Sequence, residues 1–252
     1  QFIEKIIRLP RAFSFDGHAA LQPVGDAPCI ENGFVTFGSF NRLNKINREV
    51  IALWSGVLRA VPGSRLQMAG MPANGAPEEL LQWFAAEGIA EDRLIFYPRS
   101  GFSEYLKLHN QVDFCLDTFP YTGGTTTLHA LWMGVPTLTI GGHAYPSYQG
   151  ALMLHQVGLE DYFVANNKED FIIKALFLVK NQIFLQDARF KLRNYLVDGY
   201  SASLKAVVDS FSLAFQMTWQ GWCEGEKPRS IRIDNSDINF DPCFVNYSDV
   251  IQ

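Results

Sequence analysis

Short apolar runs alternate with segments of helical spacing through most of this chain, and that alternation restricts it to folds built from βαβ units around a parallel sheet. Strand-like runs fall at 33–38, 65–69, 93–97, 113–117 and 136–140. They are continuous in apolar residues rather than alternating, as strands covered on both faces must be. Between the first two, Val50, Ile51, Trp54, Val57, Leu58 and Val61 share one face at a period of 3.6. Asn47 is positioned to cap that helix and Pro62-Gly63 to stop it. Further helices are expected at 77–87, 103–110, 125–133 and 149–157. After about Tyr162 the pattern becomes helical only. Phe171, Ala175, Leu178 and Val179 form one stripe. Phe184, Ala188 and Leu192 suggest a second helix, and Leu204, Val207, Val208, Phe211 and Phe215 a third. From Gly221 the chain turns polar and acidic, interrupted by Pro228 and Pro242, and reads as an extended or loosely docked tail.

At 252 residues the chain can bury a full core. It holds no run of eighteen apolar residues, so no membrane span is expected. A net charge of −5 argues against a general nucleic-acid or anionic-membrane surface, though a local basic pocket is compatible with it. Cys29, Cys115, Cys223 and Cys243 show neither CxxC pairing nor zinc-ligand spacing, which fits a reducing, cytoplasmic setting. Gln1 stands where a starting Met would, with no signal-peptide pattern after it, so a fragment of a longer chain is expected.

In open parallel sheets ligands bind beyond the carboxyl ends of the strands, and three segments fall there. Gly38 to Lys45, after the first strand, carries Arg42 and Lys45 three apart, and two such cations could clamp a diphosphate. A solvated loop with incidental charges is the alternative. Asp117 to Thr127 contains Gly123 and Gly124, where the backbone can approach a ligand closely, followed by Thr125 and Thr126 at a helix start. Free N–H groups, a partial positive charge and threonine hydroxyls suit a phosphate there, although no Walker A lysine follows. A plain threonine cap after a glycine turn explains one Gly and one Thr but poorly the whole run. Pro98 to Tyr105 offers Phe102 or Tyr105 to a nucleobase, or else to the inner face of a short helix.

Together these residues resemble a known family. Phe40-Asn41-x-x-x-Lys45, then Leu116 to Tyr121 with Gly123 to Thr127, then Leu131-Trp132-Met133-Gly134-Val135-Pro136 are similar to the O-linked N-acetylglucosamine transferase and SPINDLY family. Glu4-Lys5-x-x-Arg8-Leu9-Pro10 resembles the lead-in to its C-terminal lobe, and the likeness runs in order from Glu4 to Ala165. The resemblance implies an α/β, Rossmann-like parallel sheet flanked by helices, forming the C-terminal half of a GT-B glycosyltransferase. It implies a lead-in at 1–30, a nucleotide-sugar lobe at 31–220 and a polar tail at 221–252. By position, Lys45 would neutralise the diphosphate as the sugar–phosphate bond breaks, and Arg42 would line the same pocket. Gly123, Gly124, Thr125 and Thr126 would hold phosphate oxygens, while Ser100, Phe102 and Tyr105 would surround the base. Transfer would be inverting and independent of metal or other cofactor.

The sequence departs from the family at three places. Gly124 stands where animal members often have histidine, and Tyr148 where arginine is frequent. His129 occupies a position commonly acidic, where a carboxylate binds ribose hydroxyls; neutral imidazole can accept only one hydrogen bond there. UDP and GDP therefore both stay open. Among the other histidines, His18, His109 and His155 read as structural, whereas His143 lies at the binding edge and could touch sugar or phosphate. The expected partners are a nucleotide sugar, a protein acceptor, and the N-terminal lobe and TPR repeats that family members usually carry. Transfer to Ser or Thr is the first functional reading. Transfer to Asn, and a non-catalytic module keeping the fold, are the alternatives.

Overall fold

The computed structural model describes residues 5–9 and 22–238. Gln1, Glu4, Pro10, His18, Pro242 and Cys243 lie outside them. The described residues 22–194 form one compact unit, and 5–9 with 195–238 belong to another.

The smaller unit contributes β1 (Ile7–Arg8). The larger unit then runs α1 (Pro28–Asn32), β2 (Thr36–Ser39), α2 (Arg48–Ala60), β3 (Arg65–Met71), α3 (Glu78–Ala86), β4 (Leu94–Pro98) and α4 (Phe102–Lys107). It continues with β5 (Phe114–Leu116), α5 (Thr125–Trp132), β6 (Thr137–Ile140), α6 (Tyr145–Gln156), α7 (Glu160–Phe163), β7 (Val164–Ala165), α8 (Lys168–Lys180) and the start of α9 (Gln182–Cys223). Six strands form one parallel sheet in the order β4-β3-β2-β5-β6-β7. The expected α/β, Rossmann-like sheet flanked by helices is the architecture observed. The chain builds outward from β2 in one direction through β3 and β4, then returns to build outward through β5, β6 and β7. That reversal makes the gap between β2 and β5 the switch point where such sheets open toward a ligand.

The local reasons are visible in the side chains. Asn47 accepts a hydrogen bond from the Val50 N–H at 3.0 Å and so starts α2. Val50, Ile51, Trp54, Val57 and Leu58 on that helix are buried, as their spacing requires. Phe37 of β2 and Phe114 of β5 meet edge to face at 5.1 Å in the core.

Several expectations are corrected. The first strand does not reach back to Gly33, because Gly33 closes α1 in the left-handed region at φ 71°. Asp113 and Asp117 flank β5 and bond neighbouring N–H groups with their side chains. The helix expected at 103–110 becomes α4 followed by a 3-10 turn, Leu108–Gln111. The helix expected from 149 begins at Tyr145, because Pro146 is favoured rather than forbidden in a first turn. The region beyond Tyr162 is not helices only: β7 pairs with β6 as a sixth strand, too short to show a period. The second and third C-terminal helices are one continuous helix, α9.

In the smaller unit the described part of the tail, residues 221–238, includes a short paired strand. β8 (Ile231–Arg232) pairs in parallel with β1, Ile7 opposite Ile231 and Arg8 opposite Arg232. Ile233 is buried against Ala206 and Ala214. This shifts the face expected of α9: Val207 is buried as its spacing implied, but with Ala206, Ser210 and Ala214, while Val208, Phe211 and Phe215 are exposed. Small residues at that spacing let the Ile233 segment approach the helix, which the larger rings would prevent.

Candidate functional site

Beyond β2 the chain passes through Phe40, Asn41 and Arg42 into a 3-10 turn, Leu43–Lys45. Beyond β5 it passes through Asp117 to Gly124 into α5. Because β2 and β5 are paired neighbours, both loops emerge side by side at the switch point. Lys45 Nζ donates to the Thr122 carbonyl at 2.7 Å and lies 3.9 Å from the Tyr121 ring centroid. The lysine of one loop is therefore held against the turn of the other. Burial lowers the Lys45 pKa; the Asp117 carboxyl raises it and the Arg42 charge lowers it further. Arg42 is exposed beside it.

The second loop is shaped by its glycines. A Cβ on Gly123 would sit 2.5 Å from Thr127 Oγ1 and 2.9 Å from Thr126 Oγ1, so no larger residue fits without displacing the helix start. A Cβ on Gly124 would meet Gln149 Oε1 at 2.4 Å. Gly124 is the N-cap of α5 and has no side chain to occupy the first N–H groups of the helix. Thr125 is exposed at that start, and Thr126 Oγ1 donates to Asn41 Oδ1 at 3.1 Å. Asn41 and Thr126 also line a small cavity of about 10 Å³ at the carboxyl ends of β2 and β5, with Phe40, Cys115 and Thr137. What converges is thus two cations, a free helix start and hydroxyls, a set able to hold a phosphate oxyanion.

An aromatic group flanks this edge. Phe102 and Tyr105 of α4 stack at 6.1 Å between centroids, and both rings meet the His129 imidazole, at 5.1 and 5.5 Å. His129 Nδ1 lies 3.2 Å from Tyr105 Oη. Burial pushes the Tyr105 phenol up and the His129 imidazole down, so both are neutral near pH 7. Phe102 is 50% exposed and gives the group an open face. Beneath it, His109 stacks on Phe40 at 3.7 Å and donates from Nδ1 toward the Tyr105 and Leu106 carbonyls. Burial pushes its pKa down to about 3, as befits a structural histidine. His155 is exposed beside Glu160, 2.8 Å from its carboxylate.

The structure therefore brings Lys45, Arg42, Gly123, Gly124, Thr125 and Thr126 to one place, with Phe102, Tyr105 and His129 alongside. Ser100 and His143 are exposed on the loops after β4 and β6 and make no side-chain hydrogen bond or ring contact among the described residues. Sequence reasoning undervalued Asp117, Asn41 and Tyr121. Asp117 and Asn41 are polar residues at strand ends that prove buried, a combination that itself signals a network. Tyr121, 51% exposed, is marked by standing two residues before a Gly-Gly turn.

The sequence pattern of Glycosyl transferase family 41 matches residues 28–206, which include every one of these residues. The chain belongs to glycosyl transferase family 41. A probable UDP-N-acetylglucosamine–peptide N-acetylglucosaminyltransferase SPINDLY of Solanum lycopersicum is 32% identical over 236 residues, 92% of this chain and 25% of that protein. Its Arabidopsis thaliana counterpart is 31% identical over 246 residues, 95% of this chain and 27% of the relative. The chain spans about a quarter of the length of these curated relatives. Among solved structures, a mutant O-GlcNAc transferase of Thermobaculum terrenum superposes with a TM-score of 0.71 at 31% identity, over 82% of this chain and 40% of that one. Anabaena HepE in complex with UDP and glucose superposes at 0.51 and 15% identity, over 75% of this chain and 50% of that one, a likeness of fold alone. The fold of this family 41 chain is that of the C-terminal half of a GT-B glycosyltransferase. Among the described residues, no helix is long and apolar enough to cross a membrane.

Proposed function

We propose that this lobe binds a nucleoside-diphosphate sugar, UDP- or GDP-linked, for transfer to Ser or Thr of a protein. The observation that carries the reading is Lys45 held at 2.7 Å on the Thr122 carbonyl, against the glycine turn that opens α5. A diphosphate at that helix start would lie within reach of the Lys45 ammonium and the Arg42 guanidinium. The Thr125 hydroxyl and the Thr125 and Thr126 N–H groups would donate to its oxygens from the same end. As the bond from the anomeric carbon to the phosphate oxygen breaks, negative charge grows on the leaving diphosphate. A preorganised cation there stabilises the transition state more than the bound ground state. The cations and helix start neutralise that charge themselves, so the proposal includes no metal. Phe102 and Tyr105, with Ser100, would face the base, His129 the ribose, and His143 the sugar or phosphate. Protein glycosylation is supported by the family and by the SPINDLY relatives, whose names describe peptide N-acetylglucosaminyl transfer. Since those relatives are about four times longer, an N-terminal lobe and TPR repeats belong to the proposal as partners in the same protein. Free Cys29, Cys115 and Cys223 thiols support a cytoplasmic setting.

The test is transfer by the full-length protein from UDP- and GDP-sugars to peptides carrying Ser, Thr or Asn, with the modified residue located by mass spectrometry. Sugar on Ser or Thr is the expected result. Sugar on Asn would assign the enzyme to N-glycosylation, and nucleotide binding absent altogether would leave an interaction module.

A further inference from the structure

Asp117 is the most heavily engaged polar side chain near the site, and nothing in the transfer chemistry requires it to touch substrate. It is 1% exposed, at the carboxyl end of β5. Three donors converge on Oδ1: the Thr118 N–H at 2.8 Å, the Gly123 N–H at 2.8 Å and Asn41 Nδ2 at 3.1 Å. The Thr139 hydroxyl donates to Oδ2 at 2.8 Å. Its backbone carbonyl accepts from Trp54 Nε1 at 3.0 Å. These partners come from four separate elements: the loop after β2, the loop after β5, β6 and α2. Asn41 passes the connection on, since its Oδ1 accepts from the Thr126 hydroxyl at 3.1 Å. The packing leaves the carboxyl no freedom, because a Cβ on Gly150 would already lie 2.8 Å from Oδ2.

We propose that Asp117 is a positioning residue that locks the two phosphate-facing loops to each other, holding the start of α5 where a diphosphate can use it. This rests on the diphosphate reading above. A buried acceptor that satisfies three converging donors fixes their relative positions far more tightly than solvent could. The neighbouring carbonyl of Thr122, five residues on, is the one that Lys45 grips. Displacing the turn would therefore move the lysine's anchor as well as the helix start. A shape-preserving amide can keep this arrangement: Asn at 117 would still accept from the loop through Oδ1, and its N–H₂ could donate to a reoriented Thr139 hydroxyl.

The experiment compares the full-length wild type with Asp117→Asn, Asp117→Ala and Asn41→Ala, measuring dissociation constants for UDP and for uridine together with Tm. The expected result is that Asp117→Ala and Asn41→Ala lose at least about tenfold in UDP affinity while uridine affinity of the folded protein changes little. Asp117→Asn should retain UDP affinity within about threefold. Should Asp117→Ala fail to fold, Asn41→Ala decides, since it removes only the two bonds by which Asn41 links Asp117 to Thr126. Unchanged UDP affinity in folded Asn41→Ala overturns the inference, as does an equal loss for UDP and uridine. If UDP fails to outbind uridine, the same variants are measured with GDP and guanosine; a wild type that binds neither diphosphate better than its nucleoside would sink the functional reading, and this inference with it.

Discussion

Lys45 and His109 show how differently two titratable residues near one edge can be used. Lys45 is half-buried and anchored through one donor; in the proposed reading it would face the growing charge of a leaving diphosphate. Replacing it by Ala in the full-length protein should cost on the order of 10²–10³ in kcat. Tm should fall little, because the lysine is not part of the core. A Lys45→Ala enzyme with normal kcat would remove it from the mechanism, and one that unfolds would make it structural. His109 is fully buried and its pKa is pushed down to about 3, against 6.5 for the free side chain. The unfolded chain therefore binds one more proton than the folded one between those values, and stability falls as pH falls through that window. From pH 6.5 to pH 5 this single group should cost about 2 kcal/mol, at about 1.4 kcal/mol per pH unit. Urea unfolding measured across that range should show the loss, and His109→Gln should flatten it. An identical slope in the variant would mean that His109 is not held neutral. The sequence marked Lys45 by its pairing with Arg42 and by the family resemblance, and read His109 as structural. It could not reveal that Asp117 and Asn41 are buried partners, because a polar residue at a strand end looks alike whether solvent or other loops surround it.

Helix α5 is the element on which the account turns, and both its ends depend on glycine. At its start, Gly123 and Gly124 admit the loop and leave N–H groups available. At its end, Gly134 adopts φ 72°, with its N–H bonded to the Leu131 carbonyl and the Val135 N–H to the Ala130 carbonyl. A Cβ there would lie 2.3 Å from the Arg189 carbonyl oxygen. Gly134→Ala should therefore destabilise by about 2–4 kcal/mol, combining left-handed strain with overpacking. Differential scanning calorimetry checks it, and a variant as stable as wild type would show that the backbone relaxes away from the clash. The elements with strong periodicity, α2 above all, were legible in the residues. Those that were missed share a physical reason. A two-residue strand such as β7 has no period to read. A proline in the first turn of α6 looks like a stop. The helix face at 206–214 is chosen by what packs on it, and the small residues Ala206 and Ala214 win over the larger Phe211 and Phe215.

For the whole molecule, the order of strands matters more than any one motif. The parallel sheet was legible from the alternation of runs, but the sheet order was not, and only that order sets β2 beside β5 and so brings Lys45 to the α5 start. In the proposed reading this juxtaposition makes a diphosphate site. It is tested most directly by calorimetric titration of the full-length protein with UDP, GDP and the corresponding nucleosides. One nucleoside diphosphate should bind at least about tenfold more tightly than its nucleoside, a difference of about 1.4 kcal/mol or more supplied by the phosphates. Nucleoside and diphosphate of equal affinity would contradict the account.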